Sequence, residues 1–331
     1  MDFNTARKRI FNVLSQNEFD ELALAIFRLQ YEYSSLYRQF VEGLGVDLQA
    51  INHPTKIPFL PVSFFKSHRI YCADKAEDTI FESSATTGSI PSKHYVADIE
   101  LYRESFRKGF EMIYGSAGDY VIIGLLPSYL ERKSSSLVYM VTDLVNQSRH
   151  DASGFYLYDH IALARQLEET KQKGLKVMLI GVGYALLDFI GNHPMELPGA
   201  IIVETGGMKG RRQELIREEL HNRLCKGFGV SRIQSEYGMT ELLSQAWSKG
   251  AGLFICPPWM NVMIRDANDP LSLTNPGLTG GINIIDLANL YSCSFIATDD
   301  LGRIQPDGSF EVLGRFDAAD VRGCSLMVSG N

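Results

Sequence analysis

Short apolar runs alternate with longer amphipathic segments through the middle of the chain. The runs are rich in β-branched residues and bounded by Gly or Pro: DYVIIGLLP, LKVMLIGVG and GAIIVETGG. Between them lie segments of helical character: ADIELYRESFRKGFEMIY, DHIALARQLEETKQKG and GRRQELIREELHNRL. This alternation predicts an α/β fold in which helices cover a largely parallel sheet.

The two ends of the chain differ from this middle part. Near the N-terminus, FDELALAIFRLQYEYSSLYRQFVEGLG repeats apolar residues at spacings of three and four, which predicts helix. After Cys256, the turn signals NPGLTGG, DDLGRI and PDGSF separate short runs, which predicts a small, mostly antiparallel β region. The expected division is a helical segment at 1–50, an α/β core at 51–255, a β-rich subdomain of that core at 256–323 and a tail at 324–331.

Charge and composition narrow the class of protein. A net charge of −7 argues against a dedicated nucleic-acid or anionic-membrane surface. The longest apolar stretch, VMLIGVGYALLDFI, is too short to span a bilayer, and the start lacks the pattern of a secretory signal. Five scattered cysteines without a Cys-x-x-Cys pair fit a reducing compartment and give no zinc signature. We expect a cytoplasmic protein that neither inserts into a membrane nor binds nucleic acid.

The stretch FESSATTGSIPSKHY is the first candidate site. Its polar residues are Ser83, Ser84, Thr86, Thr87, Gly88 and Lys93. Hydroxyl donors, a glycine that permits close backbone approach and a compact positive charge are what a polyphosphate requires. Gly-Lys-Ser/Thr is missing, so this is not a Walker A loop. A plain Ser/Thr surface loop is the alternative.

The segment SEYGMTELLSQAW is the second candidate site. Tyr237 offers a ring for stacking on a base and Gly238 a tight turn. Thr240 offers a hydroxyl for a phosphate and Glu241 a carboxylate for Mg²⁺. The alternative is a loop entering a helix, with Thr240 as N-cap and Glu241 in the first turn.

The segments FIATDDLGRI and VLGRFDAADVRGCSL are the third candidate. Asp300 could accept two hydrogen bonds from a ribose, and Arg315 stands beside Gly314 where a chain could pivot. A set of Asp- and Gly-rich β-turns is the alternative.

Taken in order, these three segments resemble the motifs of the adenylate-forming superfamily. Ser83–Gly88 with Lys93 resembles its phosphate loop, and Tyr237–Glu241 matches Tyr-Gly-x-Thr-Glu completely. Thr298–Asp300 resembles Thr-Gly-Asp, GRFDAADVRG resembles the hinge motif, and ETGGMKG, with Gly206 and Gly207, falls where the family has an adenine-pocket loop. IPFLPVSFFKS, CPPWM and RGCSL are most similar to the acyl-protein synthetase (LuxE-like) branch, with phenylacetate–CoA ligases more distant.

The resemblance implies a large N-terminal domain with mixed parallel sheets flanked by helices plus a small β region, and no C-terminal lid domain. It implies an ATP- and Mg²⁺-dependent ligase that converts a fatty or related carboxylic acid into an acyl-adenylate. Lys93 and the loop hydroxyls would hold the β- and γ-phosphates, Thr240 the α-phosphate and Glu241 the Mg²⁺. Tyr237, Gly206 and Gly207 would contact the adenine, and Asp300 the ribose. Glu204 is either a core-edge carboxylate or part of that pocket.

The acceptor of the acyl group is a thiol in this family. In the LuxE-like branch it is a cysteine near the C-terminus, which then delivers the acyl group to a partner reductase. Cys324 matches by position, although a small buried cysteine is the alternative. Two departures stand out: Ala85 replaces a loop glycine, and the lysine of the family's lid domain is absent. Competing interpretations are a CoA ligase of the phenylacetate–CoA ligase type and a non-catalytic nucleotide-binding subunit.

Overall fold

A computed structural model of the protein describes residues 1–84, 90–127, 134–206, 215–275 and 277–316. The candidate residues Thr86, Thr87, Gly88, Gly207 and Cys324 lie outside these ranges.

The described chain divides into two compact units. The first contains residues 1–78 and 94–98 and, from residue 255, the rest of the described chain. The second contains residues 79–93 and 99–254. The predicted phosphate loop and the Tyr237–Glu241 motif therefore belong to the second unit, and the Asp300 segment belongs to the first.

The described elements are numbered here along the chain. The helices are α1 (Phe3–Arg9), α2 (Gln16–Tyr33), α3 (Ser35–Gly43), α4 (Phe64–Ser67), α5 (Ile99–Tyr114), α6 (Ser136–Gln147), α7 (His160–Gln172), α8 (Gly183–Asn192) and α9 (Arg217–Phe228). The strands are β1 (Leu60–Pro61), β2 (Thr79–Glu82), β3 (Lys93–Val96), β4 (Val121–Leu125), β5 (Gly154–Phe155), β6 (Val177–Gly181), β7 (Ile201–Glu204), β8 (Gln234–Tyr237), β9 (Ala246–Ser248), β10 (Leu253–Phe254), β11 (Met260–Arg265), β12 (Gly280–Asp286), β13 (Phe295–Ile304) and β14 (Phe310–Arg315).

A parallel sheet forms the centre of the second unit. In the described chain its strand order is β5-β4-β6-β7-β8-β9. The first five strands pair in parallel, and β9 runs antiparallel to β8. Every residue of β4 and β6 is buried, which is why these strands are continuous apolar runs rather than alternating ones. The parallel sheet predicted from the sequence is confirmed.

The helices of this unit largely follow the predicted segments. Helix α5 covers most of ADIELYRESFRKGFEMIY, and α7 lies in DHIALARQLEETKQKG. Asp159 caps α7, because its carboxylate accepts a hydrogen bond of 2.9 Å from the amide of Ala162. Helix α9 begins only at Arg217, in the middle of the third predicted segment.

The first unit joins N-terminal helices to an antiparallel sheet. Helices α1, α2 and α3 confirm the helical prediction for the N-terminal region, and strands β11 to β14 pair antiparallel as predicted. Strand β1 pairs in parallel with β13. The buried amide of Gln30 ties α2 to this sheet, since it donates to Ser294 Oγ at 3.1 Å and accepts from the Ser294 amide at 2.9 Å.

The cysteines occupy different environments. Cys72 and Cys293 are buried, as expected of core residues. The sequence also predicts core or strand positions for Cys225 and Cys256. Instead, Cys225 lies on α9 and is partly exposed, and Cys256 lies in a loop and is partly exposed as a residue, although burial of its thiol raises its pKa. Within the described residues no helix is long and apolar enough to cross a membrane.

Candidate active site

The carboxyl ends of the parallel strands bring several candidate residues to one edge of the second unit's sheet. Leu125 pairs with Gly181, Gly181 with Glu204, and Glu204 with Ser235. The segments that leave β7 and β8 at this edge contain Gly206 and the Tyr237–Glu241 motif. In α/β folds, ligands bind at such an edge.

The turn after β7 is held by backbone hydrogen bonds to the neighbouring strand and helix. The Thr205 amide donates to Gly181 O at 3.1 Å, and the Gly183 amide donates to Gly206 O at 3.1 Å. Gly206 has φ +72°, a conformation that favours glycine. Its amide donates to the carboxylate of Glu204, which is buried. Gly206 therefore lies at a fixed position beside the start of α8.

Glu204 also faces a histidine of α9. His221 Nε2 lies 3.9 Å from a carboxylate oxygen of Glu204 and 3.5 Å from Ser235 Oγ. These contacts describe Glu204 as a buried carboxylate at the end of its strand, and its contribution to an adenine pocket stays a prediction.

The Tyr237–Glu241 motif begins at the last residue of β8. Tyr237 pairs with Ala246 across the strands, and its ring lies 5.8 Å from that of Phe254. Gly238 leaves room for its neighbours, because a Cβ there would clash with the carboxylate of Glu236. Thr240 is partly buried and Glu241 is buried. The chain then turns back into β9, so the alternative reading of a helix capped by Thr240 is wrong.

The base of the predicted phosphate loop is a pair of short hydrogen-bonded segments. The Ser83 amide donates to Ser92 O at 3.0 Å, and Ser83 Oγ accepts from the Ser92 amide at 2.9 Å. Ser84 is exposed. Lys93 Nζ lies 3.2 Å from Glu82 Oε1, with both side chains about half exposed. Ser83 Oγ thus accepts from the backbone, which leaves its hydroxyl hydrogen to donate, and the ammonium group has an anionic partner.

Glu236 is a further buried carboxylate of this unit, on strand β8. Burial, and secondarily the negative charge of Glu204, raise the pKa of Glu236 from 4.5 to about 8. Burial also raises the pKa of Tyr114 on α5, with Glu236 as a further cause. Glu236 is therefore largely protonated at neutral pH. The sequence reasoning passed over Glu236, because the strand β8 that contains it was not predicted.

The Asp300 segment forms part of the first unit's antiparallel sheet. Asp300 on β13 pairs with Arg315 on β14, and Arg315 Nε lies 3.4 Å from Asp300 Oδ1. Asp300 is buried, whereas the Arg315 side chain is 57% exposed. The Asp300 amide donates to Thr298 Oγ1 at 3.1 Å. These residues lie within strands, so the alternative reading of plain β-turns is wrong.

Arg265 is a buried cation beneath that segment, and sequence reasoning missed it. Its guanidinium donates to Ile282 O at 2.8 Å, to Asn283 Oδ1 at 3.0 Å and to Thr298 O at 2.5 Å. It also lies 5.3 Å from the ring centre of Phe316. The three acceptors follow Arg265 by 17 to 33 positions, so local sequence carries no signal for this network.

Comparison with known proteins identifies the fold. No family model matches the sequence, and no curated protein matches it. The structure is similar to 2-hydroxyisobutyryl-CoA ligase solved with 2-HIB-AMP and CoA in the thioesterification state: the TM-score is 0.66 at 13% identity, over 96% of this chain and 74% of that chain. An open conformation of that ligase gives 0.65 at 12% identity, over 92% and 72% of the two chains.

A second solved structure supports the same fold. ATP-bound MatB from Rhodopseudomonas palustris gives a TM-score of 0.55 at 16% identity, over 74% of this chain and 50% of that chain. This chain thus spans about half the length of MatB. The LuxE-like branch stays a prediction. The mixed α/β architecture predicted from the sequence is confirmed: the chain has the fold of the large N-terminal domain of adenylate-forming enzymes.

Proposed function

We propose that the protein activates a fatty or related carboxylic acid with ATP, forms an acyl-adenylate and transfers the acyl group to a thiol. The observation that supports this most is the position of Tyr237–Glu241. A complete Tyr-Gly-x-Thr-Glu segment leaves the carboxyl end of β8, in a fold shared with ligases solved with ATP or an acyl-AMP.

In the first step a carboxylate oxygen of the substrate attacks the α-phosphorus of ATP. The bond from that phosphorus to the pyrophosphate oxygen breaks, and pyrophosphate leaves. Such a transfer depends on positioning and on neutralising charge rather than on covalent chemistry by the protein. The Thr240 hydroxyl would donate to the α-phosphate. Lys93 would donate to the β- and γ-phosphates, together with Ser83, Ser84, Thr86, Thr87 and the backbone at Gly88.

The remaining nucleotide contacts follow from the same proposal. Tyr237 and the Gly206–Gly207 turn would contact the adenine, and Asp300 would accept hydrogen bonds from the ribose, with Arg315 beside it. Glu241 would be the protein's carboxylate ligand for Mg²⁺. Within the described residues no three His, Cys, Asp or Glu side chains gather as a metal site. A single carboxylate fits Mg²⁺, which keeps several waters and is bound largely by substrate phosphates.

In the second step a thiolate sulfur attacks the acyl carbon. The carbon–sulfur bond forms, the carbon–oxygen bond to the phosphate breaks, and AMP leaves. Cys324 is the proposed acceptor, with a reductase as the protein that next receives the acyl group. CoA is the second candidate acceptor, because the similar 2-hydroxyisobutyryl-CoA ligase was solved with CoA.

Carboxylate-dependent exchange of pyrophosphate into ATP tests the first step. We expect exchange with at least one member of a panel of carboxylic acids. ATP binding without exchange for any acid would overturn the proposal and favour a non-catalytic nucleotide-binding subunit.

Mass spectrometry of the intact protein tests the second step. After incubation with ATP and an active acid, we expect one acyl adduct on the wild type and on Cys256→Ser, and none on Cys324→Ser. Cys256 is a suitable control because burial raises the pKa of its thiol to about 12, which leaves little thiolate. Acyl-CoA formation without an adduct would instead identify CoA as the acceptor.

A further inference from the structure

Buried polar atoms gather on the face of β8 and β9 that meets α5. Glu236 and Trp247 are directly opposed in the antiparallel pair, so both side chains lie on one face. Alternation along β8 places Gln234 on that same face, and Gln245 directly precedes β9, two positions before Trp247. The Trp247 ring lies 5.4 Å from Tyr114 of α5. These five residues form the interior polar cluster: Tyr114, Gln234, Glu236, Gln245 and Trp247.

Four atoms of the interior polar cluster form no hydrogen bond within the described part of the chain. They are Tyr114 Oη, Gln234 Oε1, Gln245 Oε1 and Trp247 Nε1, and all four are buried. Trp247 is 1% exposed and Gln245 is 6% exposed. Buried polar groups in proteins nearly always have a partner, so a group of this kind needs an explanation.

The positions of Glu236 and Gln245 connect these atoms. A Cβ on Gly238 would meet the Glu236 carboxylate and, at 3.3 Å, Gln245 Cγ, so both side chains lie against the same backbone atom. Tyr114 is connected to them through Trp247, because its ring lies 5.4 Å from the indole and Trp247 is directly opposed to Glu236. Gln245 therefore lies near Glu236, and Gln234 and Trp247 share its face of the sheet.

The chemistry of the interior polar cluster favours an uncharged group that both donates and accepts. The indole N–H, the phenol and a protonated Glu236 can donate, and the two glutamine oxygens can accept. The cluster contains no cationic side chain, so a second carboxylate would find no counter-charge. An alkyl chain would leave all these atoms without partners.

The geometry points to the interior polar cluster as the binding site for a hydroxyl group of the carboxylic acid that the protein activates. This inference rests on the proposed function and names its substrate class: hydroxyl-substituted carboxylic acids. Glu236 is four positions before Thr240, at most about 14 Å away along the backbone. The cluster therefore lies on the strand that leads directly into the proposed site.

Pairs of acids that differ by one hydroxyl group test this directly. We expect the wild type to prefer 2- or 3-hydroxy acids over the matched unsubstituted acids by more than about 100-fold in kcat/KM for pyrophosphate exchange, because a site built for a hydroxyl group rejects an analogue without one. Tyr114→Phe should reduce this preference several-fold with little effect on the unsubstituted acid. Tyr156→Phe is the matched control, since its phenol contacts Gln166 at 3.4 Å instead.

A binding measurement gives a second readout that needs no turnover. The protein has two tryptophans, so Trp259→Phe leaves Trp247 alone. Its emission should shift when a hydroxy acid is added and should not shift with the matched unsubstituted acid. Exchange that favours unsubstituted acids, or an unchanged preference in Tyr114→Phe, would overturn the inference and leave the proposed function standing. Exchange with no acid at all would overturn both.

Discussion

The buried polar groups around Arg265 in the first unit differ from those around Glu236 in the second unit. Arg265 donates to Ile282 O, Asn283 Oδ1 and Thr298 O, so its guanidinium and all three acceptors are used. Around Glu236, four buried atoms form no hydrogen bond in the described chain. A satisfied network stabilises and orients its own strands. A network with unpartnered atoms leaves donors and acceptors that a bound molecule could pair with.

The largest expected effect is on the chemistry attributed to the second unit. Thr240→Ala should lower the rate of pyrophosphate exchange by about 10² to 10³, because one donor to developing negative charge is lost. Thr240→Ser, which keeps the hydroxyl group, should recover most of the rate. Equal rates in Thr240→Ala and the wild type would remove Thr240 from the proposed site.

Arg265→Met tests the fully hydrogen-bonded network of the first unit. Three buried acceptors lose their donor, so the free energy of unfolding should fall by about 3 kcal/mol, measured by urea denaturation. Arg303→Met is the control in the same sheet, because Arg303 pairs with Glu311 at the surface and should contribute under about 1 kcal/mol. Similar losses in the two variants would contradict a structural role specific to Arg265.

The pH dependence of stability tests the buried polar groups around Glu236. The pKa of Glu236 is raised in the folded state, so its contribution to stability is complete below pH 4.5 and is lost as pH rises through about 8. Between pH 6 and pH 8 this corresponds to about 2 kcal/mol. The wild type should lose that much more stability than Glu236→Gln over this interval in paired denaturation curves. Parallel curves would show that Glu236 does not titrate there.

The Lys93–Glu82 pair should show the smallest effect. Both side chains are about half exposed, so Glu82→Gln should change the free energy of unfolding by less than about 1 kcal/mol. A larger loss in urea denaturation would show that this pair holds the base of the predicted loop. A small one is consistent with a lysine that can exchange its carboxylate partner for a phosphate.

The alternation of apolar runs and amphipathic segments was enough to predict the parallel sheet, although β8, which leads into Tyr237–Glu241, was not among the predicted runs. Strand-then-helix order leaves few arrangements, since parallel strands need a crossover connection. The structure of the segment after Thr240 was harder to predict. The spacing of Leu242, Leu243 and Trp247 fits a helix as well as a buried loop that leads into β9. Their burial, rather than local preference, determined the outcome.

Neither Arg265 nor the environment of Glu236 could be predicted, because their surroundings come from distant parts of the chain. Arg265 depends on β12 and β13, and Glu236 depends on α5 and β9. A single sequence marks such residues only as charges inside apolar strands.

The bonds that join the Gly206 turn to the residues around Gly183 have a consequence for motion. The Thr205 amide donates to Gly181 O, and the Gly183 amide donates to Gly206 O. A displacement of the turn after β7 must therefore move the segment around Gly183 with it or break both hydrogen bonds. The amides of Gly183 and Thr205 should then exchange with solvent deuterium at closely matched rates, as one opening unit. A ligand seated against either connection would slow both.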